Sequence, residues 1–553
     1  MPQSSSVDPA RHVRDLVELY AAGDASVAWL LCDQYPADRP AYTVVEPDLS
    51  ATTLTYGRLK ADSERFAAAL AELGVRPGDR VATLMGKSVD YLVALLGIWR
   101  LGAVHVPLFT AFAAPAVAFR LHGSGAKIVV CDEAQRAKLT PGEDIPETPP
   151  WRVVVAGPDS VAEPDLAFAA LLAAQRPGFP AVALGGDAPI VHIFTSGTTG
   201  RPKGVVVPTR AIAGFRAYLE YAIGVEDDDV YWCAADPGWA YGLYFGVIAS
   251  LSVGVESVLL HAGFSVDLTV AVLDRFQITN FTAAPTVYRP LRASGATVPS
   301  GLKLRRASSA GEPLTPEVNE WATTALGVPV HDHYGQTEAG TLVNNHHHPL
   351  LHRPLRPGSM GHAMPGWAVH VLYEDRDEIA PTGTLGRIAV DVQASPLAWF
   401  TGYSDAPERS AEKFTADRRW YLTGDSGSVG PDGYFRFSSR DDDVIIMAGY
   451  RIGPFEVESV LVTHPDVVEC AVIAAPDPVR GEVLEAYAVL RDPHAACTAL
   501  EIELQQLVKT KFAAHAYPRA VHFVDALPKT PSGKIQRFVL RAARASELDG
   551  VRS

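Results

Sequence analysis

Alternating helical and strand-like patterns over residues 52–180 are the feature that most constrains the fold. Apolar residues recur at helical spacing in "YGRLKADSERFAAALAELGV" and again in "SVDYLVALLGIWRLG". Each of these segments is followed by a turn and a short strand-like run, "PGDRVATLM" and "AVHVPL". This order of elements predicts a parallel β-sheet covered by helices. The same pattern returns over 210–340, where "TVAVLDRFQITNFTAAPTVY" is the clearest unit.

The pattern changes after about residue 355. Short strands with Gly and Pro turns then dominate, as in "GTLGRIAVDV" and "PDGYFRFSSR", and they predict a smaller β-rich subdomain. From about residue 443 to the end the chain mixes strands and helices in one compact unit. We therefore expect an α/β fold with a large N-terminal α/β domain over 1–440, which includes the β-rich subdomain, and a small α+β domain over 441–553. The charged cluster "RDDDV" marks the boundary.

Charge and apolar pattern exclude several classes of protein. The 553 residues carry a formal net charge of -15, so an extended basic surface for nucleic acid is not expected. The most apolar stretch, residues 91–109, is interrupted by Arg100 and His105, and it predicts a buried helix followed by a strand rather than a membrane span. The first twenty residues lack the apolar core of a secretory signal. We expect a cytoplasmic protein.

Cysteine usage agrees with a reducing compartment. The five cysteines are far apart in the sequence and none forms a CxxC pair, so neither a disulfide framework nor a zinc site is indicated. We expect buried free thiols at Cys32, Cys131, Cys233, Cys470 and Cys497.

The segment "TSGTTGRPKG" at residues 195–204 has the composition of a phosphate-binding loop. Glycines allow successive backbone N–H groups to point into one concavity, hydroxyl groups add donors, and Lys203 adds a positive charge. The segment is not a Walker loop, because Gly200 is followed by Arg-Pro-Lys-Gly rather than by four residues and Gly-Lys-Ser/Thr. Taken alone, it also fits a glycine-rich surface loop that binds nothing.

Five later segments, in order along the chain, favour the phosphate loop: "AGEPL" (310–314), "YGQTE" (334–338), "YLTGD" (421–425), "RDDDVIIMAGYRIGPFEVE" (440–458) and "PKTPSGKIQR" (528–537). Together with 195–204 they resemble the motifs of the acyl-adenylate-forming superfamily, which includes acyl-CoA synthetases, adenylation domains and luciferases. The resemblance covers nearly the whole chain. Through "DPGWAYGLYFG" (236–246) and "APTVYR" (284–289) it is greatest to the acetyl-CoA and medium-chain acyl-CoA synthetase branch. Ser439 and Asp441 depart from the family's usual hinge motif.

The resemblance implies an AMP-forming acid–thiol ligase that uses ATP, Mg²⁺ and coenzyme A. A carboxylic acid would become acyl-AMP, with release of pyrophosphate, and the acyl group would then pass to the CoA thiol. The implied catalytic residues are Lys534, which would bridge the carboxylate and the α-phosphate, Thr337, which would bind the α-phosphate, and Glu338, which would hold Mg²⁺. The small domain would be mobile, rotating about a hinge at Asp442 between the two half-reactions.

The resemblance also implies the ligand-contacting residues. The ATP and AMP site would comprise Thr195, Ser196, Gly197, Thr198, Thr199, Gly200, Lys203, Gly311, Glu312, Pro313, Asp332, His333, Tyr334, Gly335, Gln336, Asp425 and Arg440. The pantetheine arm of CoA would pass Ala448, Gly449 and Arg451. The acyl pocket would be formed by Trp239, Ala240, Tyr241, Ala310 and Gly335.

The acyl pocket suggests the size of the acid. Acetate-specific relatives carry a tryptophan at the place of Gly335, so its absence here predicts a substrate of about four to eight carbons, straight, branched or aryl. Tyr241 could cap part of the space that the glycine opens.

Two other functions fit the same motifs. A stand-alone adenylating enzyme would pass its acyl group to a carrier protein instead of CoA, and a non-catalytic protein of this fold would only bind a nucleotide. The run "NNHHHPLLH" at 344–352 has the residue type of a metal site, but a solvated loop is the better explanation, because adjacent histidines seldom converge on one ion.

Overall fold

A computed structural model describes residues 8–552 apart from 158, 196–201, 441–442, 444, 448–449, 478–480, 514–515 and 531–532. Within these residues the α-helices are α1 (Pro9–Ala21), α2 (Tyr56–Glu72), α3 (Val89–Arg100), α4 (Ala114–Ser124), α5 (Phe168–Ala174), α6 (Ile212–Ala217), α7 (Ala240–Leu243), α8 (Ala249–Val253), α9 (Val266–Arg275), α10 (Pro285–Ala293), α11 (Pro316–Ala325), α12 (Pro407–Ala411), α13 (Pro454–Leu461), α14 (Thr498–Lys511) and α15 (Arg537–Arg552). Two of them continue as π-helical turns, α6 into Tyr218–Ile223 and α7 into Tyr244–Ile248.

The strands of the described residues are β1 (Pro40–Val45), β2 (Ala51–Thr55), β3 (Arg80–Leu84), β4 (Val104–Pro107), β5 (Ala126–Asp132), β6 (Arg152–Ala156), β7 (Leu166–Ala167), β8 (Pro189–Thr195), β9 (Lys203–Pro208), β10 (Val230–Cys233), β11 (Glu256–Leu260), β12 (Asn280–Thr282), β13 (Arg306–Ala310), β14 (Val330–Gln336), β15 (Gly340–Asn344), β16 (His362–Ala363), β17 (Val369–Leu372), β18 (Gly386–Asp391), β19 (Tyr403–Ser404), β20 (Trp420–Val429), β21 (Phe435–Arg440), β22 (Ile445–Met447), β23 (Tyr450–Ile452), β24 (Val467–Asp477), β25 (Gly481–Leu490) and β26 (Ala520–Phe523).

Two large sheets form the N-terminal part of the molecule. One has the order β16-β15-β14-β13-β12-β10-β11-β1-β2 and the other β19-β9-β8-β4-β3-β5-β6-β7. Neighbours from β14 to β1 in the first sheet and from β8 to β7 in the second run parallel, which confirms the predicted α/β fold. The outer strands β2, β9, β15, β16 and β19 pair antiparallel. A tight turn can join only antiparallel neighbours, and β15 follows β14 after three residues.

Helix α3 shows how the longest apolar stretch is accommodated. Ser88 caps its first turn by accepting a hydrogen bond from the amide of Tyr91 at 3.1 Å. Every residue from Tyr91 to Arg100 is buried. Arg100 is 1% exposed and donates to the carboxylate of Asp33 at 2.5 and 3.0 Å, so its charge is paired inside the protein. Among the described residues no helix is long and apolar enough to cross a membrane.

The remaining sheets belong to the later part of the chain. The β-rich subdomain is an antiparallel sheet of order β17-β18-β20-β21, and the C-terminal unit has a five-stranded sheet with α13, α14 and α15 around its own apolar core. Four cysteines are buried as predicted. The expectation is wrong for Cys497, which is exposed because it lies in the turn just before α14.

Candidate active site

A cleft of about 390 Å³ brings together predicted site residues that are far apart in the sequence. Its lining includes Thr195, Lys203, Gly311, Glu312, Pro313, Asp332, His333, Tyr334, Gly335, Gln336, Thr337, Glu338, Asp425, Arg440 and Lys534. The N-terminal sheets, the β-rich subdomain and the C-terminal unit all contribute. The cleft is therefore complete only when the C-terminal unit lies against the rest of the chain.

Strand topology explains why these segments meet. Strands β13 and β14 are parallel neighbours, so the residues after Ala310 and those at the end of β14 lie at the same edge of the sheet. In the other sheet β8 ends at Thr195, directly opposite Lys203, the first residue of β9. The two ends of the predicted phosphate loop therefore face the same cleft.

Asp425 is held in one orientation by two hydrogen-bond donors. Its Oδ2 accepts from the hydroxyl of Tyr334 at 2.5 Å and from Nε2 of Gln336 at 2.6 Å. Gln336 is itself oriented by the hydroxyl of Tyr421, which donates to its Oε1 at 2.7 Å. Burial raises the pKa of Tyr334, so its phenol remains a donor at neutral pH. The arrangement presents a buried carboxylate that can accept hydrogen bonds from ligand hydroxyls.

Glu338 is positioned through a tyrosine that also touches the predicted phosphate-binding lysine. The hydroxyl of Tyr403 donates to Oε1 of Glu338 at 2.7 Å. The ammonium of Lys203 lies 5.0 Å from the centroid of the same tyrosine ring, within cation–π distance. A carboxylate and an ammonium group therefore flank one aromatic ring at the wall of the cleft.

Lys534 enters the cleft on a turn from the C-terminal unit. Its side chain is open to the water of the cleft, yet the surrounding protein lowers its pKa through desolvation. The carboxylate of Glu312 acts against this lowering, and Glu312 is held by Nη2 of Arg289 at 2.6 Å. The preceding Gly533 has φ +88°, and a Cβ there would lie 2.8 Å from Cγ2 of Thr286. The turn reaches this depth because residue 533 has no side chain.

The cleft residues that were not predicted from the sequence include Arg289, Tyr403 and Lys413. Lys413 donates to the carbonyls of Thr423 and Leu422 at 2.8 and 3.3 Å, and burial lowers its pKa. It therefore braces the strand that carries Asp425. Nothing in the local segment "EKF" distinguishes this lysine from a surface lysine. Arg289 could have been chosen from "APTVYR", the segment that already supported the resemblance.

The predicted acyl-pocket residues are only partly joined to the cleft. Gly335 lines it, whereas Trp239, Ala240, Tyr241 and Ala310 are not among its lining residues. Trp239 packs against the rings of Phe109 and Phe112, each at 5.3 Å between centroids.

The backbone around position 335 requires glycine for a reason that the sequence did not predict. A Cβ at Gly335 would lie 2.1 Å from the carbonyl oxygen of Gly340 and 2.6 Å from Cα of Thr341. The close pairing of β14 with β15 thus excludes any side chain in this backbone.

Several predicted residues cannot be placed. Ser196, Gly197, Thr198, Thr199 and Gly200 of the phosphate loop, Asp442 of the hinge, and Ala448 and Gly449 of the CoA path lie outside the described residues. The backbone of Arg451 lies in β23, opposite Ile446.

The histidine run at 344–352 is not the solvated loop that was expected. Asn344, Asn345 and His346 are buried, because the run continues inward from β15, which lies between β14 and β16. The ring of His347 stacks on that of His331 at 3.5 Å between centroids. In the described part of the chain no group of three or more His, Cys, Asp or Glu side chains is arranged to hold a metal ion.

These histidines make the fold sensitive to acid. Burial lowers the pKa of His331 and of His346 to about 4, and it also lowers the pKa of His333 and His347 well below the ordinary value. A histidine in the unfolded chain has a pKa of about 6.5. Below this pH the unfolded chain therefore binds protons that the buried histidines of the folded chain do not bind. The free energy of unfolding should therefore fall as pH drops from about 6.5 to about 4, by roughly 3 kcal/mol for each of the first two histidines.

Urea unfolding at about pH 7.5 and about pH 5 would measure this effect. His346→Leu replaces a titratable side chain at a buried site with an apolar one, so the free energy of unfolding of this variant should depend less on pH. Equal urea midpoints at the two pH values in the native protein would contradict the prediction.

Comparisons with known proteins show which family the chain resembles. Residues 30–403 match the family described as AMP-binding enzyme, and residues 456–534 match the AMP-binding enzyme C-terminal domain. Acetyl-coenzyme A synthetase of Bacillus subtilis (strain 168) is 34% identical over 505 residues, covering 88% of this chain and 84% of that protein.

Two solved structures are also similar to the chain over nearly its whole length. An acyl-CoA synthetase from Brucella canis is 41% identical with a TM-score of 0.76, covering 98% of each chain. A benzoate CoA ligase from Burkholderia xenovorans LB400 is 30% identical with a TM-score of 0.82, covering 94% of this chain and 100% of that one.

Proposed function

The chain belongs to the AMP-binding enzyme family, and on that premise we propose that it is a carboxylate–CoA ligase for short- to medium-chain, branched or aryl acids. The observation that carries the proposal is the position of Lys534 in one cleft with Asp425, Glu338 and both ends of the phosphate loop. The relatives support the breadth of the acid class, since one is named for acetyl-CoA and another for benzoate.

The first half-reaction joins two anions, so the protein must position them and offset their charge. A carboxylate oxygen of the acid attacks the α-phosphorus of ATP, the bond to pyrophosphate breaks, and acyl-AMP remains. We assign Lys534 to the negative charge shared by carboxylate and α-phosphate. Thr337 binds the α-phosphate, and the fixed carboxylate of Asp425 accepts from the ribose hydroxyls.

Glu338 fits a Mg²⁺ site by its chemistry. Mg²⁺ prefers carboxylate oxygens and keeps several waters, so one buried carboxylate at the cleft is a suitable protein ligand. Tyr403 would orient this carboxylate by the hydrogen bond to its Oε1. When bound, the metal would offset charge on the departing pyrophosphate.

The second half-reaction requires the CoA thiol to reach the acyl carbonyl, with AMP as the leaving group. We place the thiol path along Ala448, Gly449 and Arg451, and the domain boundary between residues 440 and 441, with rotation at Asp442. The gap between the two family matches, from 403 to 456, supports a boundary in this region. A carrier-protein thiol would use the same chemistry. Pyrophosphate release and thioester formation with an acid panel, with and without CoA, separate the two acceptors.

Chain length tests the acyl pocket. We expect an acid of about four to eight carbons to outcompete acetate widely, since each buried methylene adds about 0.8 kcal/mol, or roughly fourfold in affinity. Gly335→Trp is unsuitable as a test, because the strand pairing admits no side chain there. Ala240→Leu should instead shift the preference to shorter acids, measured as kcat/KM along a chain-length series. If native protein prefers acetate, or if the variant keeps the native profile, the pocket assignment is wrong.

A further inference from the structure

Two hydrogen bonds connect the predicted acyl pocket with His333, which lines the cleft, and a third continues from His333 to a backbone carbonyl. The hydroxyl of Tyr241 lies 2.7 Å from that of Tyr218, and the hydroxyl of Tyr218 lies 2.7 Å from Nδ1 of His333. On its other side, Nε2 of His333 lies 3.0 Å from the carbonyl oxygen of Asn345. Tyr218 and His333 are buried, whereas Tyr241 is partly exposed. We call these three side chains the tyrosine–histidine relay.

The carbonyl at the end of the relay sets the direction of every bond in it. A carbonyl oxygen only accepts, so Nε2 of His333 must carry the hydrogen. Burial lowers the pKa of His333 well below its ordinary value, so the ring is neutral and Nδ1 accepts from Tyr218. Tyr218 has one hydroxyl hydrogen, which it gives to His333. It therefore accepts in the remaining bond, and Tyr241 is the donor.

The result for Tyr241 is an oxygen that can only accept further hydrogen bonds. Its single hydrogen points to Tyr218, and burial raises its pKa, so the phenol stays protonated at neutral pH. Among the residues that the structure describes, no other group is hydrogen-bonded to this oxygen. Its surroundings are aromatic, with the ring of Phe245 at 5.0 Å between centroids and Trp239 on the same turn.

We propose that Tyr241 selects the substrate, and that the preferred acid carries a hydroxyl group on its chain that donates to the Tyr241 oxygen. The proposal rests on the proposed function, because it places the acyl chain beside Tyr241. A neutral hydroxyl group suits the site because the phenol oxygen of Tyr241 is a neutral acceptor, and this hydrogen bond forms without burying a charge. Tyr218 and His333 are positioning residues, which act by orienting the Tyr241 hydrogen.

Matched pairs of acids test the direction of the relay. The probes are hydroxy acids of about five to eight carbons, with the hydroxyl from the fourth carbon outward, and the oxo acids of the same length and position. The members of a pair are nearly equal in size, but only the hydroxy acid can donate. In ATP–pyrophosphate exchange the native protein should prefer the hydroxy acid of the best pair by about tenfold in kcat/KM.

Two variants separate a donor effect from a simple change of shape. Tyr241→Phe removes the acceptor and should abolish the preference within the pair. Tyr218→Phe frees the hydroxyl hydrogen of Tyr241, which can then donate to the substrate. The kcat/KM of the oxo acid should therefore rise, and the hydroxy acid should no longer be preferred. If either tyrosine had only a structural role, its variant would lower kcat/KM for the hydroxy acid and the oxo acid by the same factor. Circular dichroism would show whether the variants fold.

Failure of this proposal is distinct from failure of the proposed function. If no acid supports pyrophosphate exchange or CoA thioester formation, the proposed function is wrong. If acids are activated but hydroxy and oxo members of every pair react equally, or if Tyr241→Phe keeps the native ratio, the role of Tyr241 is overturned.

Discussion

Lys534→Ala should reduce acyl-AMP formation by roughly 100- to 1000-fold while sparing the transfer of a supplied acyl-AMP to CoA. The ammonium lies in the cleft among the carboxylates of Glu312, Asp425 and Glu338, where it can offset the charge of two anionic reactants. The thiol attacks the neutral carbonyl carbon of acyl-AMP rather than a phosphate, and AMP leaves, so this step does not require a positive charge between a carboxylate and the α-phosphate. Pyrophosphate release measures the first step, and thioester yield from synthetic acyl-AMP measures the second.

Lys529→Ala is the matched control. Lys529 lies in the same C-terminal segment, but its ammonium pairs with Glu469 at 2.7 Å near the surface. Such pairs contribute about 0–1 kcal/mol, so this variant should keep both half-reactions. An equal loss of both steps in folded Lys534→Ala would contradict the assigned role.

Asp442→Pro should lower thioester formation by orders of magnitude while leaving adenylation near the native rate. Proline fixes φ and removes a backbone donor, so rotation about residue 442 would be restricted. The described neighbour Asp443 is joined to the C-terminal unit, since its carboxylate pairs with Arg537 at 3.4 Å and with Arg541 at 2.8 Å in α15. A pivot on the N-terminal side of Asp443 would keep these ion pairs intact.

Single-turnover assays of the two half-reactions would measure this effect. Asp442→Ala serves as the control, because alanine removes the carboxylate but leaves φ free, and both steps should then survive. If the proline variant loses both half-reactions together, or neither, Asp442 is not the pivot.

The sequence predicted those features that depend on local spacing. Helix α3 and strand β4 follow from the apolar pattern of 91–109 and from the cap at Ser88. The ends of the predicted phosphate loop, Asp425 and Lys534 line one cleft, and each belongs to a motif that can be recognised in the sequence.

Features that depend on distant partners could not be read from the sequence. The Arg100–Asp33 pair joins residues that no pattern connects, and Lys413 is an ordinary lysine until the strand carrying Asp425 lies beside it. The burial of His346 follows from its place after an inner strand, whereas its sequence neighbours are polar. The tyrosine–histidine relay likewise needs three separate segments, since Tyr218 and Tyr241 lie on two helical segments and His333 lies on β14.

The contact between Gly533 and Thr286 has a consequence for turnover. The turn that carries Lys534 approaches Thr286 so closely that a Cβ at residue 533 would lie 2.8 Å from Cγ2 of Thr286, and the neighbouring atom at this point is a methyl carbon. Such contacts contribute only about 0.1–0.2 kcal/mol per atom pair. In the proposed cycle Lys534 leaves the cleft before the thiol reaches the acyl carbonyl. Weak contacts at residue 533 would let the turn leave at a small cost in free energy, so this glycine would favour fast exchange between the two half-reactions.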